Sequence, residues 1–142
     1  MFTSEAIDLI SAALVKAQAH IKPAPKDAKN PHFKSRYADL ASVMEACREV
    51  LAQNALAVIQ APYVVAGKVI VETRIQHKSG QFFASELALI PKAMDPQSVG
   101  SCITYGRRYG LQAMVGVVAE EDDDGNAATF SPAAKEEFKP FK

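Results

Sequence analysis

Lys68-Val69-Ile70-Val71-Glu72-Thr73-Arg74-Ile75-Gln76-His77-Lys78 alternates along its length. Val69, Val71, Thr73 and Ile75 share one face of an extended chain. Lys68, Glu72, Arg74, Gln76 and Lys78 fall mostly on the other, which is the period-two pattern of a half-covered strand. Ala66-Gly67 precedes this segment and Ser79-Gly80 follows it, each short enough to close a hairpin. The flanking segments then read as strands too: Leu56–Val65, where Pro62 marks an edge or a bulge, and Gln81–Ile90. Strands joined by such tight turns make a three-stranded antiparallel meander. A lone small sheet buries too little surface to be stable, so helices must cover one face. The other face, with Lys68, Arg74 and Lys78, is left for solvent or a ligand.

Helical periodicity on both sides supplies the cover. A first helix is expected over about Ser4–Ala19, with Ile7, Ile10, Leu14, Ala17 and Ile21 in one apolar seam and Thr3 or Ser4 as its cap. A second spans about Asp39–Gln53, with Leu40, Val43, Met44, Cys47 and Leu51 inward and Asn54 as a left-handed stop. A third covers Pro96–Val115, opened by the Asp95 cap and by proline at the first helical position. On it Gln97, Ser101, Thr104, Arg108 and Gln112 form a polar stripe, opposite Val99, Ile103, Gly106, Gly110 and Met114. The fold class is therefore α+β, in the order α-α-β-β-β-α, with the meander packed on the helices.

The 142 residues suit one domain, 1–119, followed by a tail, 120–142. The formal net charge of zero hides a division. The domain holds 13 Lys and Arg against 9 Asp and Glu, and the tail 3 against 7. Glu120–Asp124 is a run of five acids, and the Ala, Ser, Pro, Lys and Glu residues beyond it read as disordered. Cys47 and Cys102 sit at apolar helical positions with no metal-ligand spacing, so they read as buried free thiols in a reducing compartment. No signal peptide and no membrane-length apolar stretch is visible, which points to a soluble cytoplasmic protein.

Enzyme chemistry finds little support. There is no GxxxxGK, no HExxH and no paired cysteine motif. His20, His32 and His77 are scattered and read as surface residues. Ser98 and Ser101 lack a neighbouring histidine to activate them. The acidic run lacks the spaced ligands of a calcium loop, so no metal and no cofactor is expected. Glu72 and Glu86, on adjacent strands, leave one catalytic alternative, a metal-dependent nuclease.

Nucleic-acid chemistry finds more. The connection Lys22–Arg36 carries Lys22, Lys26, Lys29, Lys34 and Arg36 against Asp27 alone. Arg74 and Lys78 on the sheet and Arg107 and Arg108 on the third helix extend the basic track, and Phe33, Tyr37, Tyr105 and Tyr109 place rings beside it. A single strand needs its phosphates neutralised and offers flat bases for stacking, and this combination meets both needs. A double-stranded-RNA module is the other nucleic-acid reading. It shares the α-β-β-β-α order but keeps its lysines at the start of its last helix, whereas these arginines lie mid-helix.

Three blocks sharpen the choice: Asn30-Pro31-His32-Phe33-Lys34-Ser35-Arg36-Tyr37-Ala38-Asp39-Leu40, Gly100-Ser101-Cys102-Ile103-Thr104-Tyr105-Gly106-Arg107-Arg108-Tyr109, and Glu121-Asp122-Asp123-Asp124-Gly125-Asn126. In this order and spacing they resemble the Erf superfamily of phage single-strand annealing proteins. The resemblance implies a core similar to that of annealing recombinases. It also implies single-stranded DNA binding, assembly into rings or helical arrays, and ATP-independent annealing during phage or prophage recombination in the cytoplasm of a bacterial host. The further partners it suggests are a host single-strand-binding protein or a phage exonuclease, with no membrane involved. By position it makes Lys34, Arg36, Tyr37, Arg107, Arg108 and Tyr109 the preferred DNA contacts, beside Arg74 and Lys78 from the charge pattern. Of the two arginines, Arg108 shares the polar stripe and is the better DNA contact, and Arg107 is expected to pair with an acid, on its own or on a neighbouring subunit. Gly106 and Gly110 depart from the family pattern, in which alanine or another small residue is usual. Each glycine weakens the helix by roughly 1 kcal/mol.

Overall fold

The computed structural model describes residues 1–26, 28–29 and 36–119. Lys34 and the acidic tail, both singled out by the sequence, lie outside the described residues. The elements follow in chain order as β1 (Phe2–Thr3), α1 (Asp8–Gln18), β2 (Ala28–Lys29), β3 (Arg36–Tyr37), α2 (Leu40–Gln53), β4 (Leu56–Val65), β5 (Lys68–His77), β6 (Phe82–Leu89) and α3 (Pro96–Val115).

The meander forms as the alternation requires. β4 pairs antiparallel with β5 from Leu56↔His77 to Val65↔Lys68, and β5 pairs with β6 from Val69↔Leu89 to Gln76↔Phe82. Ala66 and Gly67 both take positive φ, +49° and +72°, the two-residue turn whose twist matches the strands it joins. Pro62 sits on β4, an edge strand, where its missing N–H costs no ladder bond.

A fourth strand joins the three. The sheet order is β1-β6-β5-β4, with Phe2 opposite Ala84 and Thr3 opposite Phe83. This corrects the start of the first helix. Residues expected to cap it are used by the sheet, so α1 begins at Asp8, and its N-cap Ile7 has no side-chain cap bond. Gln81, from the β5–β6 turn, supplies the missing acceptor. Its Oε1 accepts from Leu9 N at 2.9 Å and Ile10 N at 3.0 Å, while its Nε2 donates to Asp8 Oδ1 at 2.8 Å. A second correction concerns Asn54, which closes α2 at φ −100°; the left-handed residue is Ala55, at φ +58°. The connection between α1 and α2 also carries a small ribbon, β2 against β3.

All three helices lie on the sheet face that carries Val69, Val71, Thr73 and Ile75. Ile10, Ala13 and Ala17 of α1, Val43, Cys47 and Leu51 of α2, and Leu111 and Val115 of α3 form one core with Leu56 and Ile75. His77, expected at the surface, is buried on this same face, with its Nδ1 2.8 Å from Ser79 Oγ. Burial pushes the Cys47 thiol above its ordinary value, as suits an inert core cysteine. Among the described residues no helix is long and apolar enough to cross a membrane.

Candidate nucleic-acid interface

The two halves of the candidate site are placed by helix caps. Asp95 stays extended before α3, accepts from Ser98 N at 2.8 Å through Oδ1, and accepts from Ser98 Oγ at 3.0 Å through Oδ2. Asp39 does the same for α2, accepting from Ser42 N at 2.8 Å. These bonds to Ser98 and Ser42 hold both carboxyls below the ordinary aspartate value.

Two glycines then decide how α3 sits. A β-carbon on Gly106 would stand 2.6 Å from Val71 Cγ2 and 3.0 Å from Leu89 Cδ1, and one on Gly110 would collide with Thr73 Oγ1. The helix therefore rests directly on β5, at an approach that alanine would prevent. The two glycines serve packing here. The close approach also lets Gln60 of β4 reach three partners. Its Nε2 donates to Thr73 Oγ1 at 2.9 Å and to Arg107 O at 2.8 Å, and its Oε1 accepts from Arg107 Nε at 3.4 Å. Arg107 was expected to pair with an acid. The side-chain bond the structure gives it is to Gln60, and that bond ties α3 to the edge of the sheet.

With the glycine side seated inward, Ser101, Thr104, Tyr105 and Tyr109 face out, with Arg108 half-buried among them. Tyr105 and Tyr109 are 47% and 44% exposed, and their rings lie 4.4 Å apart at 42°. The Arg108 guanidinium stands 4.8 Å from the Tyr109 ring centre and 5.6 Å from that of Tyr105, within cation–π range of both. Gly100, Ser101, Thr104, Tyr105 and Arg108 line an open concavity of about 440 Å³. Arg108 also lies near enough to Asp39 to be one of the influences that lower its carboxyl, after the bonds from Ser42. Asp39 lies two residues after Tyr37. The end of the first sequence block and the middle of the second thus meet at one place in the fold.

The remaining candidates lie elsewhere. Arg36 and Tyr37 form β3, beside Asp39 in the chain. Lys78 follows β5 at the hairpin end, exposed, its N–H donating to Ala55 O at 3.0 Å. Arg74 lies on the sheet face away from the helices. There its Nε donates to Glu72 Oε1 at 3.2 Å, and its guanidinium sits 4.1 Å over the Phe82 ring. Arg74 and Arg108 are therefore on opposite sides of the sheet. The uncovered face also holds Glu72 directly opposite Glu86, which accepts from the Tyr63 hydroxyl at 2.7 Å. Among the described residues no group of three or more His, Cys, Asp or Glu stands ready to hold a metal.

The sequence did not single out Gln60, because nothing in a strand glutamine signals what a helix will bring to it. Asp39 carried a visible signal, an aspartate ahead of an apolar helical run, but its nearness to Arg108 is a product of the fold. A family model described as the ERF superfamily matches residues 10–140. Neither the comparison with curated proteins nor that with solved structures returned a match.

Proposed function

The chain belongs to the ERF superfamily, and from that premise we propose that it binds single-stranded DNA and anneals complementary strands without a nucleotide cofactor during phage or prophage recombination. The observation that carries the reading is the exposed Tyr105–Tyr109 pair with the Arg108 guanidinium within cation–π range of both rings, beside the chain that follows Arg36-Tyr37. Bases stack on tyrosine faces whatever their identity, and the guanidinium beside the rings neutralises a phosphate. Glycine at position 100 leaves open space where a side chain would stand, so a backbone can approach the helix there.

The proposed mechanism forms and breaks no covalent bond. Two strands repel each other through their phosphates and fold on themselves. A basic surface with rings holds one strand extended, neutralised and available for pairing. One site of this size binds weakly, so function requires repetition: copies of the chain assembled in a ring or helical array add their contacts along one strand. A host single-strand-binding protein and a phage exonuclease are the outside partners that fit this role.

The nuclease alternative through Glu72 and Glu86 is less favoured, because each carboxylate is already engaged, one by Arg74 and the other by Tyr63. The test is a pair of complementary oligonucleotides, one labelled, incubated with purified protein and Mg²⁺ but without ATP. Annealing with intact strands is expected. Cleavage of the labelled strand, an absolute ATP requirement, or tighter binding to duplex than to single strand at moderate salt refutes the reading.

A further inference from the structure

The outer face of α1 carries a pattern that the core does not use. Ile10, Ala13 and Ala17 are buried, whereas Leu9 and Val15 are 50% and 69% exposed, with Ala12 exposed between them. At 3.6 residues per turn, Asp8, Leu9, Val15 and Lys16 all project within about 60° of Ala12. They make an exposed apolar stripe, Leu9, Ala12 and Val15, with an acid at its first end and a base at its second. Positions 8 and 16, and positions 9 and 15, lie equally far from Ala12 on either side. A helix laid out this way complements itself when turned end for end. A second α1, antiparallel and crossing at Ala12, sets Leu9 level with the partner's Val15 and Asp8 level with the partner's Lys16, and each contact occurs twice. The small side chain at the crossing lets the two helices approach closely. Parallel pairing would set acid beside acid and base beside base. Gln81 donates to Asp8 Oδ1, and the exposed carboxylate has capacity for a further donor. Lys16 is exposed, and its ammonium has no acidic partner among the described residues.

We propose that a second copy of this chain docks on the outer face of α1, antiparallel and in this register. The charge pattern selects the occupant, because the surface that best complements the stripe is the stripe itself. A two-fold contact of this kind closes at two copies and generates neither a ring nor a filament. It therefore goes beyond the annealing reading, which needs copies repeated along a strand through some other surface. Three apolar side chains from each copy make a small interface, of the transient class. The pair forms at high protein concentration, or where copies are already gathered.

The experiment uses the full chain without DNA, in a Cys102→Ser background that leaves only the buried Cys47. Ala12→Cys brings two thiols together at the two-fold axis. Under mild oxidation it is expected to form a disulfide-linked pair about ten-fold faster than Lys68→Cys, an exposed control on the sheet. Coupling no faster than the control overturns the proposal. Val15→Asp added to Ala12→Cys should return coupling to the control rate, and Val15 is exposed enough for the fold to survive, as circular dichroism will check. Lys16→Glu should slow coupling by about two- to five-fold at low salt, since it faces an acid with an acid. An unchanged rate removes the charge argument, and the choice of a second copy falls with it. The register is read by mixing Leu9→Cys with Val15→Cys chains, which are expected to couple to each other in preference to themselves. Preferential coupling of each to its own kind shows parallel helices and overturns the proposal. Annealing plays no part in these readouts, so the failure of either reading leaves the other standing.

Discussion

Gly106 lies against Val71 so closely that a β-carbon would stand 2.6 Å from Val71 Cγ2. One turn on, Gly110 meets Thr73 in the same way. Side chains on β5 thus fill the space that side chains on α3 would take. The helix is held by contact of its own backbone with the sheet, and that contact fixes which residues it presents outward.

Gly106→Ala tests this directly. In an isolated helix the change is favourable by about 1 kcal/mol. Here it overpacks the interface, at a cost of typically 1–3 kcal/mol. The expected outcome is a net loss of stability in urea unfolding. Gly100→Ala, at a helical position where a β-carbon meets nothing within 4 Å, is expected to stabilise the fold.

Arg108→Ala is expected to weaken single-strand binding by on the order of 1–2 kcal/mol per site and to reduce the salt slope, leaving assembly intact. Tyr105→Ala with Tyr109→Ala removes the stacking surface and is expected to cost about 1–3 kcal/mol per base lost, with little change in salt slope. Fluorescence anisotropy across a salt series separates the two effects. Wild-type binding by Arg108→Ala at every salt concentration would place the DNA surface elsewhere than α3.

Arg107 and Gln60 should behave as a structural pair. Arg107→Ala and Gln60→Ala are each expected to lower stability by about 0.5–1.5 kcal/mol, and the double variant to lose less than the sum. Gln60 carries no charge and bonds to Thr73 and Arg107, so Gln60→Ala is expected to keep the salt slope of DNA binding unchanged. A slope altered as much as by Arg108→Ala would refute that division of labour.

Acid should loosen both helix starts. The carboxyls of Asp39 and Asp95 lie below the ordinary value of 3.8, each held there chiefly by hydrogen bonds from the serine it caps. A carboxyl depressed by folding stabilises the native state above its unfolded value and loses that contribution as pH falls through the folded one. Stability should therefore hold down to about pH 5 and decline below about pH 4. Asp39→Asn keeps a capping acceptor and removes the titration, so its decline in acid is expected to be shallower by circular dichroism.

How much of this was legible in the sequence differs by element. The alternation from Lys68 to Ile75 predicted β5 and its faces, and Asp95-Pro96 placed the start of α3 to the residue. Such features are local: a period and a cap need only their neighbours in the chain. Phe2-Thr3 was misread because two residues have no period, and only β6 makes them a strand. Arg74 and Arg108 were grouped by charge, which says nothing of the sheet between them. Gly106 and Gly110 looked like weaknesses of a helix until Val71 and Thr73 were set beneath them.

The bond from Gln81 to the start of α1 sets an order of events for a chain made from its N-terminus. Leu9 and Ile10 wait for an acceptor that lies 72 and 71 residues downstream. Until the β5–β6 turn has emerged from the ribosome, the first helix has neither that acceptor nor the strand beside which β1 docks. The segment from Phe2 to Ile10 is therefore made well before the residues that hold it and is among the last parts of this fold to find its place.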